Sequence, residues 1–571
     1  MANRRQFLQT LAAIPPSLLV SPSWSATATA DPSRLALIFG NSAYRDAPLT
    51  NPGNDARAMS SLLNQAGFTV DSHLDATRTG MIAAIEKFGA AIQRPETKQV
   101  VFYYAGHGVQ LDWRNYLLPV DAVVEKADQL KQRCVDLGLL LGQLGKAKDK
   151  TFIIILDACR NNPFGRVYKP QRRGLSQFDA PVGSLLAYAT SPGNVASDGT
   201  GKNGLYTENL IRELSQRNTR IEDALKRVRL NVRLSSYGEQ IPWETTSLES
   251  DVFLFSDGQK KLTDEEIEKQ LQADLDAWAN VKNSRNIDDW VAYLRNFPNG
   301  RFAEIGQVRL SRLLREREKV LAASAEAEKA AAAAATIPGT ATSTVATPAP
   351  TPATPVASTQ EMIELGEGKA IPEIFRPSQN PYSAGFYPLG RFFSIGDKAV
   401  FQVSDVFSGA LQRSFTQLVT RVDVAADRVE YNMGGHITDL MGNILKSFKI
   451  EYAVPVQFYP AEIQVGKKWA AAFGETFNNK ESYANYDLQI VRKERVVVPA
   501  GEFDAFRVEG EGWNRTYGTR LLTIYWIVPG LNFPIKREFT TKLSNGKFQN
   551  ADRFELVSLR QKRTSFDLNR S

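Results

Sequence analysis

Short apolar runs alternating with helical periodicity over residues 34–256 predict an α/β domain on an open, mainly parallel sheet with helices on both faces. A second observation is the amphipathic helical pattern that begins at Thr263, which predicts a small helical module. A third is the residue-by-residue alternation of apolar and polar side chains after an Ala/Thr/Pro stretch, which predicts a mainly β domain at the C-terminal end. The chain has 571 residues, more than one hydrophobic core usually supports, so several domains are expected.

Leu35–Phe39 reads as the first buried strand. Asp55–Gly67, with Ala58, Leu62 and Leu63 at helical spacing and a terminal glycine, reads as a helix leading into a strand at Phe68–Asp71. Val100–Tyr104 and Thr151–Leu156 follow; the latter is the most apolar run and belongs at the sheet centre. Ser184–Thr190 and Val252–Phe255 are further strand candidates, bracketing helices near Thr207–Ser215 and Ile221–Leu234. Thr263 and Glu266 form a capping-box pattern, after which Ile267, Leu271, Leu275 and Trp278 recur at helical spacing. A second helix carries Ile287, Trp290 and Leu294, and a third carries Phe302, Ile305 and Leu310, a pattern similar to short helical repeats. Residues 318–335 are Ala-rich and helix-prone. Residues 336–361, almost entirely Ala, Thr, Pro, Val and Ser as far as Thr359, are expected to form a disordered linker reaching roughly 60–70 Å. The expected domains are therefore 31–258 (α/β), 262–335 (helical) and 362–563 (mainly β), after a leader at 1–30.

The leader is read from Arg4-Arg5 before the apolar stretch Phe7–Val20, with small residues at Ala28-Thr29-Ala30. It resembles a twin-arginine export signal, and its core is too short and too broken by Pro15-Pro16 to span a bilayer. A periplasmic or secreted location is expected, with no transmembrane segment after cleavage. The net charge of +7 is mild for this length, and basic residues are dispersed among acidic ones, so no nucleic-acid partner is expected. With only Cys134 and Cys159, the chain is not a disulfide-built scaffold.

In open α/β sheets reactive groups gather beyond the carboxyl ends of strands. Two such ends stand out: Tyr104-Ala105-Gly106-His107-Gly108 after the third strand, and Asp157-Ala158-Cys159-Arg160 after the most apolar one. A thiol there could meet the imidazole, which would serve as its base and then as the acid for a leaving amine. Only three histidines exist, so few other pairings are available.

The run Tyr103–Gly108, then Asn115–Asp121, then Asp157–Pro163 resembles the bacterial branch of caspase-like cysteine peptidases, related to metacaspases. Gly40–Tyr44, Asn51–Ala56, Ala187–Gly193, Ala196–Gly199 and Gly204–Thr207 fit the same family in order and spacing. The resemblance implies a caspase-like sheet of six strands, His107 as general base and Cys159 as nucleophile. It implies that the Gly108 and Cys159 N–H groups form the oxyanion hole. It also implies that Asp55 and Asp157 line the substrate pocket. Two carboxylates suit an arginine guanidinium, so cleavage after Arg or Lys is expected. Asp55 read by itself also suits a helix cap. The chain departs from the metacaspase pattern at Ala105 and at Arg160-Asn161, and no acidic calcium cluster can be assigned; no cofactor or metal ligand set is named, with calcium activation left open.

The leading expectation is thus an exported cysteine endopeptidase acting on protein or peptide substrates through an acyl-enzyme. Its rivals are a catalytically silent caspase-fold scaffold, a protein that binds an envelope partner through the β-rich domain, and an enzyme silenced by a Cys134–Cys159 bridge. The basic connection Arg160–Ala180 places Arg172 and Arg173 beside the site, where self-cleavage at Arg173-Gly174 is expected. Val498–Phe503 and Tyr525–Leu531 resemble a β-rich domain of bacterial envelope proteins.

Overall fold

Strands whose both faces are apolar are stable only with both faces covered, and this requirement organises the first domain. A computed structural model describes residues 30–159, 175, 176, 178, 183–190, 201–248, 250–258, 263–335, 360–367, 369, 380 and 383–564. The domain runs β1 (Arg34–Gly40), α1 (Pro52–Gln65), β2 (Thr69–Leu74), α2 (Arg78–Ile92), β3 (Gln99–Leu111), β4 (Arg114–Leu117), α3 (Leu130–Arg133), β5 (Val135–Asp136), α4 (Gly138–Leu144), β6 (Thr151–Cys159), β7 (Ser184–Tyr188), α5 (Leu205–Leu214), α6 (Ile221–Ser235) and β8 (Trp243–Thr246). The sheet order is β2-β1-β3-β6-β7-β8, parallel except for β8, with β4 and β5 branching from β3.

Alternate residues face opposite sides. Ala36, Ile38, Val101, Tyr103, Ile153, Ile155, Leu185 and Ala187 pack under α1, α5 and α6, whereas Leu37, Phe39, Phe102, Tyr104, Ile154, Leu156 and Leu186 pack under α2 and α4.

Two expectations are corrected. The last strand is Trp243–Thr246, antiparallel to β7; Val252–Phe255 contributes only the isolated bridge Phe253–Arg220, with Val252 and Leu254 buried beneath the helices as core. Burial alone made that run resemble a strand. Secondly, β3 and β6 continue past Tyr104 and Leu156, so His107 and Cys159 lie within the strands and not on loops beyond them. The ladder persists because β4 takes up the far edge of β3, pairing Gly108–Leu111 with Arg114–Leu117.

Helices α7 (Asp264–Val281), α8 (Ile287–Asn296) and α9 (Ala303–Ala335) follow, the first started by the expected Thr263–Glu266 capping box. The Ala-rich stretch continues the third helix. Trp278 stacks on Phe302 at 4.4 Å and lies edge-on to Trp290, and the Tyr293 hydroxyl donates to Asp274. Residues 336–359 of the expected linker lie outside the described residues.

The C-terminal region comprises β9 (Gln360–Leu365), β10 (Tyr387–Pro388), β11 (Lys398–Asp405), β12 (Leu411–Asp423), β13 (Arg428–Tyr431), β14 (His436–Thr438), β15 (Ile444–Ser447), β16 (Ile450–Val456), β17 (Glu462–Ile463), β18 (Lys468–Phe477), β19 (Lys480–Val498), β20 (Gly501–Asn514), β21 (Thr519–Ile527), β22 (Lys536–Lys542) and β23 (Phe548–Thr564). Neighbours in the large sheet are antiparallel, and β11 also pairs with β23, closing the sheet into a barrel-like ring; β9 adds to β23, while β10 and β17 form a separate ribbon. Closure removes the open edges that a long antiparallel sheet would otherwise expose.

Charged groups join the domains. Arg229 of α6 donates to Glu462 of the C-terminal region at 2.7 Å and pairs with Glu244 of β8 at 2.8 Å, with all three side chains largely buried. Lys467 pairs with Glu304 at the start of α9, and Glu304 also accepts the Ala461 N–H. Burial alone would push the Glu304 carboxyl up, but Lys467 and Lys226, with the bonds from Lys467 and Ala461, hold it down to about 2.

Removing Arg229 strands two buried carboxylates, so Arg229→Ala should cost about 3–5 kcal/mol of denaturant stability; a loss below about 1 kcal/mol would remove Arg229 from the joint. Because the Glu304 value is depressed in the folded state, its stabilisation is full above the ordinary carboxylate range and is lost as pH falls from about 4.5 through about 2. Glu304→Gln should therefore be less stable than wild type at pH 7, with the gap closing across that window in thermal melts; a gap independent of pH would refute the linkage.

Candidate functional site

The parallel ladder between β3 and β6 runs in register from Gln99 opposite Thr151 to His107 opposite Cys159, so the proposed base and nucleophile sit side by side at the carboxyl ends of adjacent strands. Cys159 is placed here by its backbone alone.

His107 is buried, and its position is fixed from both sides of its peptide plane. Its N–H donates to the Tyr44 hydroxyl at 3.0 Å, and its carbonyl accepts the Tyr104 hydroxyl at 2.6 Å and the Leu118 N–H at 3.1 Å. Tyr44 and Tyr104 meet hydroxyl to hydroxyl at 3.2 Å, and the Tyr44 ring lies 4.6 Å from the imidazole. Gly106 makes this possible. Its φ is +154°, and a Cβ there would stand 2.5 Å from the Tyr44 hydroxyl oxygen.

The imidazole Nε2 lies 2.8 Å from the Ala47 carbonyl, which can only accept. Nε2 therefore carries the hydrogen, and in the neutral ring the basic lone pair is on Nδ1.

The two acidic residues converge on the start of α5. The Asp55 carboxylate, buried within the first turn of α1, accepts the Asn203 amide at 2.8 Å and the Gly204 N–H at 3.0 Å. It therefore braces α5, where the sequence offered a cap on its own helix; Asn51 occupies that position. Asp157 is half-buried and accepts the Thr207 hydroxyl at 2.6 Å, while Thr207 and the Tyr103 hydroxyl are also 2.6 Å apart. Burial, then Asp157 and then Asp55, raise the Tyr103 pKa well above the ordinary phenol value, so Tyr103 stays neutral beneath these carboxylates.

Tyr44, Tyr104 and Thr207 are site residues that sequence reasoning did not assign, although all three fall within family-like runs. Arg172 and Arg173 lie outside the described residues. The Cys134–Cys159 bridge is not formed: Cys134 is a free thiol, fully buried among Tyr116, Leu118 and Leu130, and burial pushes it up to about 12. Among the described residues, no group of three or more His, Cys, Asp or Glu converges as a metal site would.

Residues 33–253 match the caspase domain family, peptidase C14. The chain is 24% identical to mouse caspase-1 over 237 residues, covering 37% of this chain and 56% of that protein. It is 25% identical to pig caspase-1 over 248 residues, 39% of this chain and 59% of the relative. It is 30% identical over 128 residues to human mucosa-associated lymphoid tissue lymphoma translocation protein 1, covering 22% of this chain and 15% of that protein. The chain thus spans from less than a fifth to somewhat over half the length of these relatives. What is shared is a caspase-type α/β domain, and the match supports a cysteine peptidase function in general terms.

Gly106→Ala should lose about 1–3 kcal/mol, the ordinary range for forcing a methyl into packed space, with the added demand of positive φ. Chemical denaturation checks this, and a neutral result would show that the Tyr44–Tyr104 arrangement yields freely.

Proposed function

We propose that this protein is an exported cysteine endopeptidase that cleaves after Arg or Lys. The observation that carries the reading is the registered pairing of His107 with Cys159 at the carboxyl end of a caspase-type sheet. Nδ1 of His107 takes the thiol proton, the Cys159 sulfur attacks the scissile carbonyl, and the same proton passes to the departing amine. Water then attacks the thioester with His107 as base, releasing the acid product and restoring the thiol.

The oxyanion would be held by the Gly108 and Cys159 N–H groups. Because the Leu118 N–H donates to the His107 carbonyl, Gly108 and Leu117 form a non-hydrogen-bonded pair, which turns the Gly108 N–H away from β4 and towards β6. Asp157 supplies the pocket charge; Asp55 holds the Asn203–Gly204 turn, and Thr207 fixes the Asp157 carboxylate. The Arg4-Arg5 leader supports export, and the Arg172-Arg173-Gly174 stretch supports self-processing at Arg173.

Cys159→Ala and His107→Ala should each abolish cleavage of an arginyl peptide while leaving the melting transition in place, and the Cys159→Ala chain should stay whole on incubation. Wild-type turnover in either variant would refute the pair. Asp157→Asn should weaken Arg over Asp discrimination by about 2–5 kcal/mol in kcat/KM. Thr207→Val should act in the same direction and less strongly, through KM. Preference of the wild type for Asp would overturn the pocket. Replacement of Arg4 and Arg5 by Lys should hold the precursor in the cytoplasm, and unchanged export would refute the leader.

A further inference from the structure

The barrel-like domain distributes its exposed apolar side chains unevenly. Of fifteen large ones exposed in residues 360–564, nine lie around one end of the ring. The backbone pairings place them there in sequence. Phe448, at the β15–β16 turn, precedes Ile450, which pairs with Phe477; Phe477 faces Lys480 across the β18–β19 turn. Ala484 pairs with Asn514, beside Trp513 and the 515–518 turn that holds Tyr517. Lys542 pairs with Phe548 across the next turn, and Phe548 lies 4.9 Å from Phe407 of the β11–β12 turn. With the whole chain present Phe448 is 72% and Trp513 50% exposed.

Charge follows the same end. The six connections there, residues 406–410, 432–435, 448–449, 478–479, 515–518 and 543–547, contain Lys449, Arg515 and Lys547 and not one carboxylate. Among the flanking residues Lys480 adds a cation, while Asp405, bonded to Phe407 and Ser408 of its own turn, and Glu481 add carboxylates, so the basic excess rests on the turns themselves. Buried faces elsewhere in the barrel are matched by polar outer ones: β19 and β20 carry Asp487, Lys493, Glu494, Glu509 and Glu511, so the strands themselves are unsuited to lipid contact. Aromatic side chains at a shared level, accompanied by lysine and arginine, are the composition that suits the lipid headgroup region. A protein partner of matching chemistry would need an apolar face ringed with acid, whereas an anionic bilayer supplies both features at once.

We propose that this end of the barrel docks on an anionic lipid surface, inserting Phe448, Trp513 and Tyr517 while Lys449, Arg515 and Lys547 meet the headgroups. This does not depend on peptidase activity. The test is co-sedimentation of the full chain, without its first 30 residues, with vesicles of phosphatidylglycerol and phosphatidylcholine, and with phosphatidylcholine alone. Binding is expected to the first set only, weakened by salt, with a blue shift of tryptophan fluorescence that Trp513→Phe diminishes. Lys449→Glu with Arg515→Glu and Lys547→Glu should weaken binding at least about tenfold, as should Phe448→Ser with Trp513→Ser and Tyr517→Ser. The charge variant lies wholly on exposed turns and decides the matter if the apolar one misfolds. No binding to anionic vesicles, equal binding to both sets, binding untouched by the charge variant, or light scattering that shows copies of the chain joined through this end would each overturn the proposal.

Discussion

The unbroken ladder between β3 and β6 is the constraint on which the site rests. A parallel strand pair fixes register rigidly because a one-residue slip would turn every buried side chain to the wrong face. Here both faces are buried from Val100 to Tyr104 and from Phe152 to Leu156, so the core determines the position of His107 against Cys159 several residues further on. The relative position of the two residues is thus set by core packing that ends just below them. What remains to be fixed locally is the orientation of the imidazole, and the Tyr44 and Tyr104 hydroxyls, the Ala47 carbonyl and the turn of backbone at Gly106 accomplish that.

The same logic governs the acidic side of the site. Asp55 and Asp157 come from α1 and β6, yet both bond to the first residues of α5 and its entry. Carboxylates are favoured near a helix N-terminus, where unsatisfied N–H groups carry partial positive charge. A structural role for both carboxylates follows: Asp55 bonds to the Asn203–Gly204 entry of α5, and Asp157, half-buried, to Thr207 in its first turn, which is compatible with the substrate-binding role proposed for Asp157.

Most of the first domain was legible because its strands are apolar on both faces and its helices are amphipathic. Trp243–Thr246 was not, since Glu244 and the two threonines hide a strand whose partner is β7, nearly sixty residues earlier. His107 and Cys159 were legible through the runs around them. Tyr44, Tyr104 and Thr207 were not assigned, because a hydroxyl's role depends on which backbone or carboxylate the fold brings to it, and sequence periodicity contains no such information. Closure of the barrel was hidden for the same reason: alternation marks strands, while the pairing of Lys398–Asp405 with Asp552–Arg560 joins segments about 150 residues apart.

The domains are joined by ionic contacts that bind the sheet edge at β8 to the barrel. Glu244 of β8 shares Arg229 with Glu462, the Trp243 indole N–H donates to Gln464, and the Gln464 amide donates to the Glu244 carbonyl. Trp243 in turn stacks on Tyr188 at 4.8 Å, at the carboxyl end of β7 and next in the sheet to the strand bearing Cys159, with Phe386 edge-on to the indole at 5.4 Å. A sheet edge is ordinarily open to pairing with another chain; here it is occupied by the protein's own C-terminal region. These contacts tie the C-terminal region to β8, the strand next but one to that bearing Cys159. Buried charges make that joint sensitive to the loss of a single partner, and the stack of Tyr188, Trp243 and Phe386 adds an apolar contact across it.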